Sequence, residues 1–373
     1  MKYLTYNGQL LYYPQSGSPF LTYGQEITPP FLAIGHASNL YKPKYTLDGG
    51  SNWYDGSTGS YTMTYQFLSM TQGAGSRTTV SPNLQDIVIW SLGSGVIKHI
   101  SHDAGETWAW QYFSDSREFT HWNKQNNTCY IGGFAVGGLK STNAGDSFTQ
   151  MSMGNNAVCF DSSDDESYVF AGMMNNTTGR STNQGANWSL ISNNGTGDYT
   201  VVRCSSSGQY VINFYGARSK QVCFSSNYGA SYTALTNSTD SRATMNRSAS
   251  IIVYDNPANN RIYISSNQGS SWSYFTSPFG TNVSVTFSPD ETTDEVYLWA
   301  RNDNRLYKIN AAKDGVDLVA TLPAVVHLLS ISSYGRGAAF IAIDQLSVYL
   351  SYDKTNWTLV HTSVPTLTYI TVQ

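Results

Sequence analysis

The chain has 373 residues, a net charge of −4 and only 12% charged side chains, with no cluster of Lys and Arg. That excludes a nucleic-acid binder working by phosphate neutralisation. It also leaves a surface made polar by Ser, Thr, Asn and Tyr, as in secreted and virion-exposed proteins. No apolar run approaches the ~18–20 residues of a membrane helix, so no membrane insertion is expected.

In chain order, the opening Met1-Lys-Tyr-Leu-Thr-Tyr6 and its continuation to Tyr13 lack a continuous apolar core and a small-residue cleavage site, so they do not read as a signal peptide. Beyond them a short phrase recurs, Ser/Thr-x-Asp/Asn-x-Gly-x-x-aromatic. Its copies run Thr46-Leu-Asp48-Gly-Gly50-Ser-Asn-Trp53, Ser101-His-Asp103-Ala-Gly105-Glu-Thr-Trp108 and Ser141-Thr-Asn143-Ala-Gly145-Asp-Ser-Phe148. They continue as Ser181-Thr-Asn183-Gln-Gly185-Ala-Asn-Trp188, Ser225-Ser-Asn227-Tyr-Gly229-Ala-Ser-Tyr232 and Ser265-Ser-Asn267-Gln-Gly269-Ser-Ser-Trp272, with a shortened Ser351-Tyr-Asp353-Lys-Thr-Asn-Trp357 last. The central residues stand at 48, 103, 143, 183, 227, 267 and 353, so the last step of 86 spans two steps of 43 and implies a silent unit near 311. Repeats of ~40–50 residues built from several strands give radial or stacked architectures.

Each copy follows one alternating run, such as Arg261-Ile-Tyr-Ile264, and precedes another, such as Trp272-Ser-Tyr-Phe275, which reads as strand, tight turn, strand. The Asp or Asn can accept N–H groups of its own turn, the glycine supplies a positive φ, and the aromatic packs between units. Asn replaces Asp in four copies, so the position needs no charge and is structural rather than catalytic. Innermost strands are expected about 20 residues earlier, as at Thr79-Val-Ser-Pro-Asn83 and Thr286-Phe-Ser-Pro-Asp290. The silent unit retains Asn304-Arg-Leu-Tyr307, but its turn has decayed to Ala311-Ala-Lys-Asp314.

The phrase closely resembles the Asp-box, or BNR repeat, of sialidases, sortilin-type receptors, some endo-glucanases and photosystem assembly factors. The resemblance covers roughly residues 40 to 360. It implies an all-β chain forming a β-propeller of four-stranded blades, with the repeated turn joining the third and fourth strands on the rim. The count favours eight blades, with seven as the alternative. The expected organisation is a single domain, 1–373, in which 1–29 is an extension or docking segment and 30–373 the blades. The final run, Thr366-Leu-Thr-Tyr-Ile-Thr-Val372, is expected to supply the inner strand of the first blade and close the ring, which removes exposed edges.

Catalytic signals are sparse. Sialidases need three arginines and a Phe/Tyr-Arg-Ile-Pro motif near the start, and here no arginine precedes Arg77. The carboxylates Asp161, Asp165, Glu166, Asp290 and Glu295 could supply a glycosidase pair, but they fall in equivalent stretches read as solvated hairpin turns. The histidines show no metal-ligand spacing, the acidic turns lack calcium-loop spacing, and no phosphate loop is present, so no cofactor and no metal are expected. Cys129, Cys159, Cys204 and Cys223 read as small buried hydrophobes, with a Cys204–Cys223 bridge an open possibility. The aromatic surplus is the remaining signal. Trp90 and Trp299 read as core between units, while Trp110, Trp122, Tyr54 and Tyr112 lie near turns and are the candidate ligand-binding residues.

The phrase Tyr6-Asn-Gly-Gln-Leu-Leu-Tyr12 resembles openings of structural proteins of phages infecting Bacteroidetes. With the uncharged surface it points to a non-catalytic virion protein, a tail or capsid appendage made in the host cytoplasm. Such a protein would be present in multiple copies and bind other virion proteins or a host surface glycan or protein. The alternatives are a surface-glycan hydrolase or depolymerase, and a cellular assembly factor or receptor.

Overall fold

The computed structural model describes residues 4–6, 9–11, 44–45, 52, 54–57, 78–81, 86–92, 96–103, 105–113, 119–123, 125–126, 128–133, 137–173, 177–193, 201–214, 221–236, 238, 241–290, 293–301, 303–323, 325–331, 339–343, 347–351 and 353–362. Among them, strands are grouped in seven consecutive four-stranded antiparallel sheets, each paired strictly in chain order. Blade I comprises Thr78–Val80, Ile87–Leu92, Val96–Ser101 and Ala109–Phe113; blade II comprises Phe119–Trp122, Cys129–Gly132, Leu139–Ser141 and Thr149–Gln150. Blade III is Ala157–Ser162, Val169–Met173, Thr177–Ser181 and Ser189–Ser192; blade IV is Val201–Cys204, Val211–Phe214, Cys223–Ser225 and Thr233–Ala234. Blade V is Ala243–Met245, Ile252–Asn256, Arg261–Ser265 and Ser273–Thr276; blade VI is Val285–Asp290, Glu295–Ala300, Arg305–Ile309 and Val316–Thr321. Blade VII is Val326–Ile331, Ala339–Ile343, Ser347–Ser351 and Thr358–Thr362. The first strand of every blade touches the first strand of the next, from I through VII. Successive meanders joined through their inner strands are a β-propeller.

An eighth unit is represented by the antiparallel pair Lys44–Tyr45 and Tyr54–Asp55, which flanks the first repeated phrase. Asp48, Trp53 and the closing run 366–372 lie outside the described residues. Within the first 29 residues, Leu4–Tyr6 pairs with Gln9–Leu11 as a small hairpin. The silent unit is a complete blade, VI. Its turn is rebuilt by Asn310, whose Oδ1 accepts the N–H of Asp314 at 3.1 Å.

The core lies between blades rather than within one layer. Val88 and Ile100 of blade I meet Trp122, Cys129, Ile131 and Leu139 of blade II. Tyr130 and Met151 of blade II meet Phe160, Val169 and Ala171 of blade III, with Trp188 packed against them. Phe224 of blade IV meets Trp272 of blade V at 6.3 Å, and Trp357 of blade VII packs on Tyr297 and Trp299 of blade VI. The turn aromatics Phe148, Trp188, Trp272 and Trp357 therefore cover the preceding blade. Trp299 is buried as core; of Trp90 only the backbone is described. All four cysteines are buried and none is joined in a disulfide, so the Cys204–Cys223 bridge does not form.

Candidate functional site

The repeated turn has one hydrogen-bond pattern in the five copies centred on 103, 143, 183, 227 and 267. In blade II, Ser141 Oγ donates to Asn143 Oδ1 at 2.9 Å, Gly145 N–H donates to Ser141 Oγ at 2.9 Å, and Ser147 N–H donates to Asn143 Oδ1 at 3.1 Å. Asp103, Asn183, Asn227 and Asn267 likewise accept the N–H four residues on, at 2.8 to 3.1 Å. Asp353, without the glycine, accepts from Thr355 and Asn356 instead. Burial opposes ionisation of Asp103, but bonds from Thr107 and Ser101 outweigh it and hold the carboxyl below its ordinary range. In the four Asn copies the amide makes the same acceptor bonds, so the position shapes the chain and carries no proton.

The turns are tethered to the blade before them. Lys98 Nζ donates to Gly145 O at 2.7 Å, Lys140 Nζ to Gln184 O at 2.7 Å, and Arg180 Nε to Tyr228 O at 2.6 Å. Each cation sits on the third strand and neutralises the carbonyl edge of the next turn. Burial pulls the Lys98 ammonium down to about 8. His102 links blades I and II through Nδ1 to Asp86 at 2.7 Å and Nε2 to Asp146 at 2.9 Å. Partial burial alone would lower its pKa, but the two carboxylates outweigh that and raise it.

On the same end of the blades, the turns joining first and second strands form a second stitched series. Ser81, Asn123, Ser163, Ser205 and Asn246 each end an inner strand and are buried. Asn123 Nδ2 donates to Ser163 O at 2.9 Å, Asp164 N–H to Ser206 O at 2.8 Å, Ser206 N–H to Arg247 O at 2.8 Å, and Asn246 Nδ2 to Asp294 O at 2.8 Å. These polar residues recur every 40 to 42 positions, a spacing visible in the sequence but overshadowed by the louder glycine-aromatic phrase.

This arrangement corrects the reading of the acidic stretches as solvated. Asp161, Glu166 and Asp290 are at most 3% exposed; only Asp165 faces solvent fully, while Glu295 is half-buried. Asp161 accepts the N–H of Cys204 at 2.9 Å and lies 3.8 Å from both His121 Nε2 and Arg247 NH1. Arg247 also pairs with Asp164 and donates to Cys204 O at 3.0 Å. Glu166 accepts from the Tyr130 hydroxyl and from Asn126 Nδ2, with Lys140 Nζ at 3.6 Å. Asp290 pairs with the buried Lys354 at 2.8 Å, and Glu295 pairs with Lys308 at 2.6 Å. Asp161, Glu166 and Asp290 are drawn out of solvent because each joins its blade to another, whereas the Glu295–Lys308 pair stays within blade VI and is half-buried; a buried charge persists only when paired and hydrogen-bonded.

Chemically, these acids are occupied. Tyr130 is fully buried, and burial together with Glu166 pushes its hydroxyl far above the ordinary range, the opposite of an activated nucleophile. Burial raises Asp255 to about 7, against hydrogen bonds from Val285 and Arg242, yet it is sealed at the other end of blade V. No group of three or more His, Cys, Asp or Glu among the described residues is placed to hold a metal.

The accessible chemistry lies on the outermost strands. Tyr54, Trp110, Leu190, Tyr274, Leu318 and Leu359 are 44 to 54% exposed, and every one of them sits on a fourth strand or its counterpart in the first unit. Arg261 lies over the Tyr274 ring at 4.0 Å. Of the candidate ligand-binding aromatics, Tyr54 and Trp110 belong to this rim. Trp122 does not: it is 3% exposed and packed between blades I and II, because it ends an inner strand rather than flanking a loop. Tyr112 lies on the fourth strand of blade I, where only its backbone is described. Leu190 and Tyr274 stand seven residues after the turn Asn, a phase the sequence holds, but their exposure depends on which face of the strand turns outward.

No family model matches the sequence, and no curated protein matches it. Among solved structures, YCF48 from Cyanidioschyzon merolae is similar at a TM-score of 0.47 and 13% identity, covering 74% of this chain and 94% of that one. YCF48 bound to D1 peptide is similar at a TM-score of 0.47 and 15% identity, covering 76% and 94%. The propeller architecture stands on the sheet order and the contacts between inner strands.

Proposed function

We propose that the protein is a non-catalytic binding and structural module of a virion, a phage tail or capsid appendage. Its propeller holds a host surface glycan or a partner virion protein. The observation that carries the reading is the division of its side chains. Three of the five acids that could do glycosidic chemistry, Asp161, Glu166 and Asp290, are buried and paired, whereas among the described residues large apolar side chains stand out at the rim in six of the repeat units. Exposed aromatics beside hydroxyls and amides suit recognition without charge. The repeated turn resembles the Asp-box of sialidases, but that turn is scaffold in receptors and enzymes alike and carries no activity of its own. The virion placement is supported by the opening phrase ending at Tyr12 and by the uncharged composition.

Two measurements test it. Mass spectrometry of purified particles should find the protein among the structural components in many copies. Labelled protein displayed on a multivalent bead should adsorb to host cells while the monomer adsorbs feebly, because clustering multiplies weak contacts. Absence from the particle would refute the placement, and failure of the clustered form to adsorb either to cells or to particle proteins would refute the binding role.

A further inference from the structure

The chain leaving the first repeated turn lies across the second. Ser57 N–H donates to Glu106 O at 2.8 Å and Trp108 N–H donates to Ser57 O at 2.9 Å, a parallel bridge between Ser57 and Thr107. Gly56 is pressed on the turn itself: a Cβ there would stand 2.4 Å from Trp108 Nε1 and 2.8 Å from Gly105 O. Under this cover Trp108 is only 7% exposed. The docking site has three parts: the N–H of the turn aromatic, the carbonyl two residues before it, and an indole floor fixed by Trp108 Nε1 donating to Gly105 O at 2.8 Å.

The same parts recur elsewhere. Trp188 Nε1 donates to Gly185 O at 2.9 Å and Trp357 Nε1 to Lys354 O at 3.1 Å, so both indoles are held as the Trp108 indole is. Among the described residues no segment crosses either turn. Ala186, Asn187, Thr355 and Asn356 are exposed, and the two indoles are only partly buried.

We propose that the turns ending in Trp188 and Trp357 are docking sites for an extended, glycine-containing segment of a partner protein, added in parallel as Gly56–Ser57 is added to the turn of Trp108. Main-chain hydrogen bonds supply affinity in strand addition, and side-chain fit supplies selectivity. Here the selective element is the residue over the indole, which the 2.4 Å approach restricts to glycine. A donor and an acceptor two residues apart on one strand match a peptide backbone rather than a sugar ring. Two such sites on one molecule make weak contacts additive through avidity. The inference rests on the reading of the protein as a binding module, and it names the partner as polypeptide.

The test uses the full chain and the peptide Asn-Trp-Tyr-Asp-Gly-Ser-Thr-Gly-Ser, which copies residues 52–60, beside a control with valine in place of the glycine copied from position 56. The first peptide should bind saturably with a Kd on the order of 0.1–5 mM, and the valine control at least about tenfold more weakly. Amide exchange should slow at 186–190 and 355–359. Absence of saturation, equal binding of the two peptides, or protection confined to other turns would overturn the proposal. Protection of the same turns without peptide, growing with protein concentration as dimers form, would assign the sites to a second copy and overturn the partner segment. If peptide binding fails while the clustered protein still adsorbs to cells, this inference alone falls; if both fail, the binding role falls too.

Discussion

The turn residue at Asp103 illustrates how little charge the scaffold uses. Its carboxylate accepts the N–H of Thr107 at 2.8 Å, and Asn143 accepts the equivalent N–H of Ser147 at 3.1 Å through an amide oxygen. Asp103→Asn should therefore change stability at pH 7 by less than about 0.5 kcal/mol, the usual range for a replacement that keeps its bonds. The depressed pKa of Asp103 adds stability above the unfolded carboxyl value and loses it as pH falls through the folded value. The substitution should accordingly flatten part of the acid limb of a stability-against-pH curve. Trp188→Ala, by contrast, removes an indole packed on the cluster of Tyr130 and Phe160, and should cost about 2–4 kcal/mol in denaturant titration. A cost from Asp103→Asn equal to that of Trp188→Ala would contradict a purely structural turn. At this scale the sequence was legible, since exchange of Asp for Asn between copies already separates shape from charge. Asn310 was not legible: Lys308, Ala312 and Gly315 stand where Ser, Gly and an aromatic would be, and only the bond to Asp314 reveals the turn.

The blade depends on two demands made of its turn glycine. Gly269 has φ +81°, and a Cβ there would meet the Phe224 ring of the preceding blade at 2.2 Å; Gly280 has φ +95° with nothing within 4 Å. Gly280→Ala should cost about 1 kcal/mol from backbone strain alone, and Gly269→Ala about 2–4 kcal/mol because overpacking is added. Equal costs would mean that the close approach is relieved at no expense. His102 makes a second test of blade contacts. Its pKa is raised by Asp86 and Asp146, so its contribution is complete below the unfolded value near 6.5 and is lost as pH rises through the folded value. Lys98, on the third strand that ends just before His102, holds the Gly145 carbonyl, and burial lowers its ammonium to about 8. Comparing wild type with His102→Gln isolates the imidazole: the difference should be about 0.5–1 kcal/mol at pH 5.5, given its exposure, and shrink by pH 8. A difference that grows with pH would show that the imidazole acts neutral. The buried acids were the elements that sequence reading missed. Asp161-Ser-Ser-Asp-Asp-Glu166 has the composition of a solvated turn, and its burial follows from Arg247 and Lys140 arriving from other blades, which no local pattern records.

For the whole molecule, steps of mostly 40–44 residues indicated radial or stacked repeats, because a repeat of that length cannot bury its faces except against neighbours, and the resemblance of the repeated turn to the Asp-box narrowed this to a propeller. The rim was legible only in part. Tyr54 and Trp110 stood out as surplus aromatics, whereas Leu190, Leu318 and Leu359 look like ordinary strand residues until the fourth strand is seen to have no fifth beside it. That division, paired acids inside and apolar residues outside, is the basis for expecting adhesion without chemistry. The most direct test is the mass on a sensor coated with host surface polysaccharide and protein while clustered propeller flows over it. Binding without catalysis predicts a rise that decays to the starting baseline on washing, with little change between low and moderate salt because few charges take part. A baseline that sinks steadily below its starting value, and stops sinking when one Asp or Glu is replaced by its amide, would contradict the account and show a depolymerase.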